Sequence, residues 1–410
     1  MSHKRSFAGG LIAGIVLTLF LGCGYFAGTQ LYRAFQAQKG AVSASGDSQD
    51  GAVSVANPAT MQKMGVLEEM IGEYYLEDAG ESELEQGVYK GMIEALGDPY
   101  STYYSQEELE DLQNKTQGIY YGIGARVGID ADTQLPRIAS VIEGTPAQEA
   151  GLMSGDLLYK VDDTLVQGMD LNSAVALVKG DEGTTVHLTV IREGETDYLE
   201  FDVERRKLEN ETVTYEMLED GAGYIQIQEF DDVTVDQFEE ALEACRQEGM
   251  RGLILDLRGN PGGNLTTVCE IARMMLPEGL IVYTEDKNGQ REEYTCDGKS
   301  QLDVPLVVLV DANSASASEI LAGAVKDYGI GTLVGTTTFG KGIVQRIMKL
   351  SDGSAVKLTV SKYYTPKGNN IHEIGISPDV EVPFEAEPYL EDGTDNQLER
   401  ALEVLKEKME

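Results

Sequence analysis

Short apolar runs that alternate with helical patterns, all between residues 212 and 385, constrain the fold most strongly. The runs are Tyr224–Ile227, Gly252–Leu257, Val304–Val310 and Thr332–Val334. The helical patterns between them lie at residues 233–249, 264–276 and 315–328. Near-continuous apolar runs are typical of strands that are buried on both faces of a sheet. The alternation therefore predicts an α/β domain.

Residues 118–205 have a different pattern, in which short β-rich runs alternate with two short helical stretches. The β-rich runs are Ile119–Ile129, Arg137–Ile142, Leu157–Val161, Val186–Ile191 and Tyr198–Val203. One helical stretch begins at Pro146 and ends at Gly151, and the other covers Leu171–Val178 and ends at Gly180. This pattern predicts a small, separate β-rich module.

The segment from Pro58 to Leu112 is predicted to be helical, because its apolar residues recur at helical spacing. A second helix fits Leu84–Leu96 and ends at the break Gly97–Ser101. Apolar stripes of this kind mostly serve packing, so we assign them no chemistry. We expect a helical arm that is able to form a homodimer.

The apolar run Phe7–Ala27, which follows a Lys-Arg pair, bears on where the chain resides. Roughly 20 apolar residues are enough to cross a bilayer as a helix. Positive charge before the run favours a cytoplasmic N-terminus with the bulk of the chain outside. We therefore expect a retained single-pass anchor in the cell membrane. Cleavage by a signal peptidase and lipid attachment at Cys23 remain open as alternatives.

The composition excludes several classes of function. The 410 residues include 70 acidic and 32 basic side chains, which gives a formal net charge of −38. Because a nucleic-acid binder needs a basic face, we expect no nucleic-acid partner. Four cysteines at wide, irregular spacing form neither a disulfide framework nor a zinc-ligand pattern. With only three histidines, the sequence indicates no metal and no cofactor.

A serine-rich segment, Ser314–Ile320 (SASASEI), follows the third apolar run and opens a helix. Unpaired N–H groups and the helix dipole favour developing negative charge at a helix N-terminus. A serine there can attack a carbonyl while the N–H of its neighbour binds the oxyanion. From this segment alone, a helix cap is the alternative interpretation, because serine is a preferred capping residue.

A nucleophilic serine needs a base. His187 lies in a β-rich run of the small module, and His372 lies past the last clear helix–strand unit. Lys341 has glycines and apolar residues around it in sequence, and burial can lower a lysine pKa from about 10.4 toward neutrality. Gln345, four residues on, shares its face in a helix or a strand and can orient the amine. An exposed loop lysine is the alternative interpretation.

The segment Asp256–Gly263 (DLRGNPGG) runs from a strand into a glycine-rich turn and then a helix. It lacks the Lys-Ser/Thr ending of a phosphate-binding loop and the glycine spacing of a dinucleotide-binding turn. Its glycines can instead bring a backbone N–H close to a reacting carbonyl.

The β-rich module contains a YGIG turn before the strand Ala125–Ile129; its residues are Tyr121, Gly122, Ile123 and Gly124. Such glycines let N–H groups converge on a carboxylate, and the next strand's edge can accept an extended peptide. Further matching segments are Gly144–Ala147, Ala150–Leu152, Gly155–Leu158, Val161–Asp163 and Asp170–Gly180. The module resembles a PDZ domain of bacterial proteases, which implies that the YGIG turn captures a substrate's C-terminal tail. A PDZ-like spacer without a ligand is the alternative.

Three segments together resemble the signature segments of the carboxyl-terminal processing peptidases, also called tail-specific proteases. They are Asp256–Gly263, Ser314–Ile320 and Thr338–Gln345 (TFGKGIVQ). Two further segments, Gly97–Ser101 and Gly375–Asp379, resemble other parts of that family. The resemblance runs from about Met61 to Val382 in family order, with the PDZ-like module in its expected place.

By position, the resemblance implies that Ser316 is the nucleophile, that Lys341 is the general base and that Gln345 orients Lys341. It implies an oxyanion hole formed by the Ala317 N–H and an N–H of Gly262 or Gly263. Which of the two glycines serves is left open.

The resemblance also implies a crotonase-like α/β protease core. Lys179 stands where some relatives carry an arginine, so it is the candidate for coupling the PDZ-like module to the active site. The predicted domains are a transmembrane segment (1–35), a flexible linker (36–57), a helical N-terminal region (58–115), a PDZ-like domain (116–205), a serine peptidase core (206–385) and an acidic C-terminal tail with a helix (386–410).

These expectations describe a membrane-anchored, extracytoplasmic serine endopeptidase that cleaves unfolded or C-terminally exposed proteins through an acyl-enzyme. An activating or adaptor protein is a further expected partner. One alternative is a catalytically silent PDZ scaffold, in which Ser316→Ala changes nothing. Another is a Ser-His hydrolase that uses His372 and tolerates Lys341→Ala.

Overall fold

The computed structural model describes residues 54–410. The predicted membrane anchor, and all of the predicted linker except its last four residues, lie outside this range. Within it, every helix is too short or too polar to span a bilayer.

The helices are α1 (Pro58–Tyr74), α2 (Glu81–Glu94), α3 (Gln106–Gln117), α4 (Pro146–Ala150), α5 (Leu171–Val178), α6 (Thr234–Gln247), α7 (Leu265–Arg273), α8 (Ala317–Tyr328), α9 (Ala386–Asp392) and α10 (Asn396–Met409). The strands are β1 (Thr102–Tyr104), β2 (Ile119–Gly122), β3 (Ala125–Ile129), β4 (Pro136–Val141), β5 (Leu157–Val161), β6 (Thr164–Leu165), β7 (Thr185–Ile191), β8 (Leu199–Glu204), β9 (Arg206–Glu209), β10 (Val213–Met217), β11 (Ala222–Ile227), β12 (Gly252–Asp256), β13 (Gly279–Asp286), β14 (Arg291–Cys296), β15 (Leu306–Val310), β16 (Gly331–Gly335), β17 (Ile343–Lys349), β18 (Ala355–Tyr364) and β19 (Val380–Glu381).

A boundary at Gly80 divides the described chain into two units. In the first unit, α1 begins where the Asn57 side chain accepts hydrogen bonds from the Ala59 and Thr60 N–H groups, each at 3.1 Å. Its apolar side chains, among them Leu67 and Met70, are exposed. The prediction that the start of this segment is helical is confirmed.

The second unit contains a six-stranded sheet in the order β10-β11-β12-β15-β16-β19. All neighbouring strands are parallel except β10, which is antiparallel to β11. Alternate side chains of β12 enter two different cores, because successive residues of a strand point to opposite faces. Leu253 and Leu255 pack with α6, α7 and α8, whereas Ile254 packs with α10. The α/β prediction is confirmed.

The helix α10 lies at the end of the segment that the sequence describes as an acidic tail. Ala401, Val404 and Leu405 are buried against the sheet, and Leu405 lies beside Gly252. The helix predicted at the end of the acidic tail is therefore present, and it packs on the sheet of the protease core.

A second, five-stranded sheet has the order β1-β18-β13-β14, and β17 pairs with β18. The sequence patterns did not predict this sheet. Its pairing of β1 with β18 places Thr102 opposite Lys357. As a result, the segment Gly97–Ser101 is held beside the loop that carries Lys341.

The β-rich module forms a sheet in the order β3-β4-β5-β7-β8, and β6 pairs with β5. The predicted run Ile119–Ile129 is broken into β2 and β3, and β2 instead pairs with β9. The break is at Gly124, which has φ +84° and lies so close to Thr145 that a Cβ would be 2.2 Å from the Thr145 Cβ. Only glycine fits this position.

The three cysteines of the second unit, Cys245, Cys269 and Cys296, are buried free thiols. Burial raises the pKa of the Cys269 thiol to about 12. These side chains therefore serve as small apolar core residues.

Candidate active site

Ser316 immediately precedes α8 and has an unusual backbone conformation, with φ +54° and ψ −109°. A serine that only caps a helix has an extended backbone, whereas positive φ costs a non-glycine residue about 1–3 kcal/mol. The Ser316 N–H donates to Glu319 Oε2 at 2.9 Å, and the Ser316 carbonyl accepts from the Tyr363 hydroxyl at 3.0 Å. The conformation is thus fixed from both sides, as expected for a functional residue rather than a cap.

The glycine-rich turn packs directly against the predicted nucleophile. Gly262 has φ +109°, and a Cβ there would lie 2.8 Å from the Ser316 Cβ and 3.0 Å from the Ala317 nitrogen. The Gly262 N–H already donates to Asn260 Oδ1 at 2.8 Å. Within residues 54–410, the Gly263 N–H has no such partner. Of the two glycines left open by the sequence, Gly263 is therefore the candidate for the oxyanion hole, because its N–H has no partner among the described residues.

Lys341 lies in the loop between β16 and β17. Its backbone N–H donates to Glu319 Oε2 at 2.8 Å, and its Nζ lies 4.7 Å from the centre of the Tyr100 ring. Burial lowers the pKa of the Lys341 amine, and the positive charge of Lys357 lowers it further, against the opposing charges of Asp98 and Glu319. The alternative of an exposed loop lysine is therefore not supported. The lowered pKa suits a general base.

The Gly97–Ser101 segment forms one wall around this lysine. Asp98 accepts from the Ser101 hydroxyl at 2.6 Å and from the Tyr100 N–H at 3.0 Å. Burial tends to raise the pKa of Asp98, but hydrogen bonds from Ser101, Thr359 and Tyr100 outweigh it and hold the pKa below its usual value. Asp98 is thus a carboxylate beside a lysine, without a direct ion pair to it among the described residues.

Gln345 lies in β17, and its Nε2 donates to Thr359 Oγ1 at 3.2 Å. Within the described chain, no hydrogen bond joins Gln345 to Lys341. The Thr359 N–H donates to Ser101 Oγ at 3.1 Å, and the Ser101 hydroxyl donates to Asp98, so the Gln345 amide belongs to the network that surrounds the lysine. Its role in orienting the amine stays a prediction.

His372 lies near Lys341 in the structure, beside Gly342. Its Nδ1 is buried and has no hydrogen-bond partner among the described residues. A histidine base is normally oriented by a carboxylate or carbonyl through this atom. The geometry therefore gives the Ser-His alternative no support.

A cleft of about 1880 Å³ runs between α3 and the β-rich module. Tyr121, Lys179 and the start of β3 line it. β3 is an edge strand, and α5 packs beside it, which is the arrangement that accepts an added peptide strand. Ile123 is instead buried in the module's core, and Gly122 belongs to β2. The structure thus brings only part of the YGIG turn to the cleft.

Lys179 follows the last residue of α5. Arg205, not Lys179, donates to the carbonyls at the end of that helix, which have no partner within the helix. The Arg205 Nε donates to the Val178 carbonyl at 2.8 Å, and its Nη2 donates to the Leu177 carbonyl at 3.0 Å. A cation at a helix C-terminus is favoured by the helix dipole. Sequence reasoning missed Arg205, and its only signal was its position at the module's end.

Sequence reasoning also missed Glu319 and Tyr363. Glu319 stands at the third helical position, where acidic residues are common as caps. Tyr363 stands in a strand that the patterns did not predict. Burial and the nearby Glu319 hold the pKa of the Tyr363 phenol well above its ordinary value, so that its hydroxyl remains a donor.

Comparison with known families gives three matches along the chain. Residues 221–382 match peptidase family S41, residues 137–192 match a PDZ domain, and residues 18–108 match the N-terminal domain of the activating protease CtpB.

Two curated relatives come from Bacillus subtilis (strain 168). The carboxy-terminal processing protease CtpA is 38% identical over 80% of this chain and 71% of its own length. The carboxy-terminal processing protease CtpB is 34% identical over 89% of this chain and 75% of its own length.

Among solved structures, a protein of Bacteroides fragilis assigned to the S41 proteases has 17% identity and a TM-score of 0.52, and covers 88% of this chain and 99% of that one. At this identity the likeness concerns the fold alone. The two relatives above, together with the family and PDZ matches, show that the chain belongs to peptidase family S41 as a carboxy-terminal processing serine peptidase with a PDZ domain.

Proposed function

We propose that Ser316 and Lys341 form the catalytic pair of this peptidase. One observation carries the proposal: Lys341, whose half-buried amine has a lowered pKa, and Ser316, at a helix N-terminus, donate their backbone N–H groups to the same carboxylate oxygen of Glu319. A neutral lysine amine can take the proton of a serine hydroxyl, and a lowered pKa makes more of the amine neutral.

In the proposed reaction, neutral Lys341 accepts the proton of the Ser316 hydroxyl as its oxygen attacks the scissile carbonyl. The Ala317 and Gly263 N–H groups bind the oxyanion that forms. Lys341 then delivers the proton to the leaving amine, which departs with the C-terminal product. A water molecule, activated by the Lys341 amine, then hydrolyses the acyl-enzyme and regenerates Ser316.

We further propose that the PDZ domain selects unfolded substrates with free, apolar C-terminal tails. The open edge of β3, with α5 beside it, supports this proposal because it fits an added strand. Tyr121, the residue of the YGIG turn that lines the cleft, would lie beside the tail's carboxylate. Lys179 would transmit occupancy of the cleft, which it lines, to the active site.

We also propose a single-pass anchor that holds the peptidase on the outer side of the cell membrane. The apolar run Phe7–Ala27 supports the anchor. An activating protein and a homodimer formed through residues 58–115 are proposed as partners. The match of residues 18–108 to the N-terminal domain of a protease described as activating, and the exposed apolar face of α1, support these partners.

The test compares wild-type protein with Ser316→Ala and Lys341→Ala on an unfolded protein that ends in an apolar tail. Lys349→Ala, at an exposed lysine of β17, is the matched control. We expect cleavage by the wild type and the control only, and slower cleavage when the substrate's C-terminus is amidated.

Each alternative predicts a different result in the same experiment. Tail binding without cleavage by the wild type indicates the silent scaffold. Full activity of Lys341→Ala, with loss of activity in His372→Ala, indicates a Ser-His hydrolase. Equal cleavage of free and amidated substrates argues against selection by the tail's carboxylate.

A further inference from the structure

Glu319 is a fully buried carboxylate in the first turn of α8. It accepts four hydrogen bonds, two at each oxygen. Oε2 accepts from the Ser316 N–H at 2.9 Å and the Lys341 N–H at 2.8 Å. Oε1 accepts from the Gly340 N–H at 2.7 Å and the Thr338 hydroxyl at 2.6 Å. All four acceptor sites of the carboxylate are therefore occupied.

These bonds connect two elements that are separate in the chain. Ser316 belongs to the turn before α8, and Lys341 belongs to the loop after β16. The same oxygen bonds to both residues, so the backbones of the proposed nucleophile and base are two hydrogen bonds apart. A displacement of about 1 Å in such a pair is enough to cost about 10²-fold in rate.

We propose that Glu319 is the positioning residue that fixes Lys341 relative to Ser316 and sets the electrostatic field at the amine. The proposal rests on the proposed Ser316–Lys341 chemistry. Glu319 touches no substrate, and its effect is exerted through the two residues that it holds.

Only a carboxylate of this length satisfies the site. A glutamine offers one oxygen with two acceptor sites, and its amide group would place donors against the Ser316 and Lys341 N–H groups. An aspartate is one methylene shorter and cannot keep all four bonds. Among the described residues no cation pairs with Glu319, so N–H donors and the α8 dipole stabilise its buried charge.

The charge of Glu319 also acts on the Lys341 amine. The charged groups around that amine are Lys357 on β18, Asp98 in the segment before β1, and Glu319 itself. The negative charge of Glu319 favours the ammonium form. Removing this charge makes Lys341 lose its proton at a lower pH. The electrostatic effect of the substitution therefore appears in the pH profile, and the positional effect appears in kcat.

The experiment measures kcat and KM for peptide cleavage from pH 5 to 10 in Glu319→Gln. We expect kcat to fall by about 10²-fold with KM within a factor of two or so, and the rise in activity with pH to move to lower pH. Glu270→Gln, an exposed glutamate of α7, is the control and keeps wild-type values. A merely structural role lowers kcat without moving the pH profile, and that result overturns the proposal.

Thr338→Val removes one donor to Glu319 but leaves its charge in place. We expect a several-fold lower kcat and an unmoved pH profile in this variant. Unchanged kcat in Thr338→Val overturns the positional part, even if Glu319→Gln does not fold.

If Ser316→Ala retains activity, the proposed function fails. If Ser316→Ala is inactive while Glu319→Gln has wild-type kcat, only the present inference fails.

Discussion

Burial is the main cause of the lowered pKa of Lys341. The positive charge of Lys357 lowers that pKa further. Two positive charges in one region are unfavourable, and the unfavourable energy is relieved when Lys341 loses its proton. The positive charge of Lys357 thus favours the neutral Lys341 amine that a general base requires.

Replacing Lys357 with glutamine should therefore raise the pKa of Lys341. The alkaline rise of kcat/KM is expected to move to higher pH, with lower activity at neutral pH and a recovered plateau at high pH. Lys349→Gln, at an exposed position on the adjacent strand, serves as the control. A profile that stays in place, or that moves to lower pH, contradicts the role of Lys357.

Asp231 is only 5% exposed, and its Oδ2 has no hydrogen-bond partner among the described residues. Burial raises its pKa to about 7; Glu229 and Asp232 add to the increase, and Lys115 opposes it. Between pH 4 and 7 or so, the native protein holds a proton that the unfolded chain has released. Stability therefore falls as the pH rises through this window.

Asp231→Asn should remove most of this pH dependence. We expect the wild type to lose on the order of 2–4 kcal/mol of unfolding free energy between pH 5 and 8.5 relative to the variant. Urea denaturation at both pH values measures the difference. Parallel losses in the two proteins indicate that another group is responsible.

At the scale of elements, the turn Asp256–Gly263 shows how closely a loop packs against a helix N-terminus. Gly262→Ala would place a methyl group 2.8 Å from both the Ala315 carbonyl oxygen and the Ser316 Cβ, on a backbone with φ +109°. Because this displaces the neighbouring Gly263 N–H, we expect kcat to fall by about 10²-fold or more.

Gly259→Ala is the matched control for this prediction. Gly259 also has positive φ, +72°, but a Cβ there meets no atom within 4 Å. Gly259→Ala therefore also places an alanine at positive φ, but without the steric clash. Equal kcat values in the two variants would falsify the assignment of the oxyanion loop.

In the peptidase core, the strands that sequence patterns predicted most clearly are buried on both faces. The strands β12 and β15 are buried at every position, so their apolar runs are continuous and visible. β14 is buried only at Cys296, and its exposed charged residues give a sequence pattern typical of a loop. The second sheet was missed for this reason.

The same distinction applies to the site. Ser316, Lys341 and the glycine turn lie in recognisable segments. The four donors to Glu319 come from two segments about 20 residues apart, and the Tyr100 ring reaches Lys341 from a third. Such contacts depend on tertiary structure, which local spacing does not encode.

At the scale of the whole molecule, α10 covers one face of the parallel sheet. Leu405 is fully buried there, against Gly252. Leu405→Ala should lower the free energy of unfolding by about 2–5 kcal/mol, as is usual for core leucines. Leu390→Ala, at a leucine that is 83% exposed on α9, should change stability little. Similar midpoints in urea denaturation for the two variants contradict a structural role of α10.

The contact of β1 with β18 has a consequence for the order in which the molecule becomes active. The hydrogen bond from the Thr359 N–H to Ser101 Oγ spans 258 positions of the chain. We expect contacts of such long range to form late, because closing a large loop costs conformational entropy before the contact is gained. Before they form, we expect Lys341 to be more exposed to water and to hold its proton more tightly, since burial is the main cause of its lowered pKa.

Regained peptidase activity should therefore lag behind regained circular dichroism when the protein is refolded from urea. Simultaneous recovery of both signals would show that the lysine is buried early. On this prediction, a partly folded molecule does not cleave the unfolded chains around it, including other copies of itself.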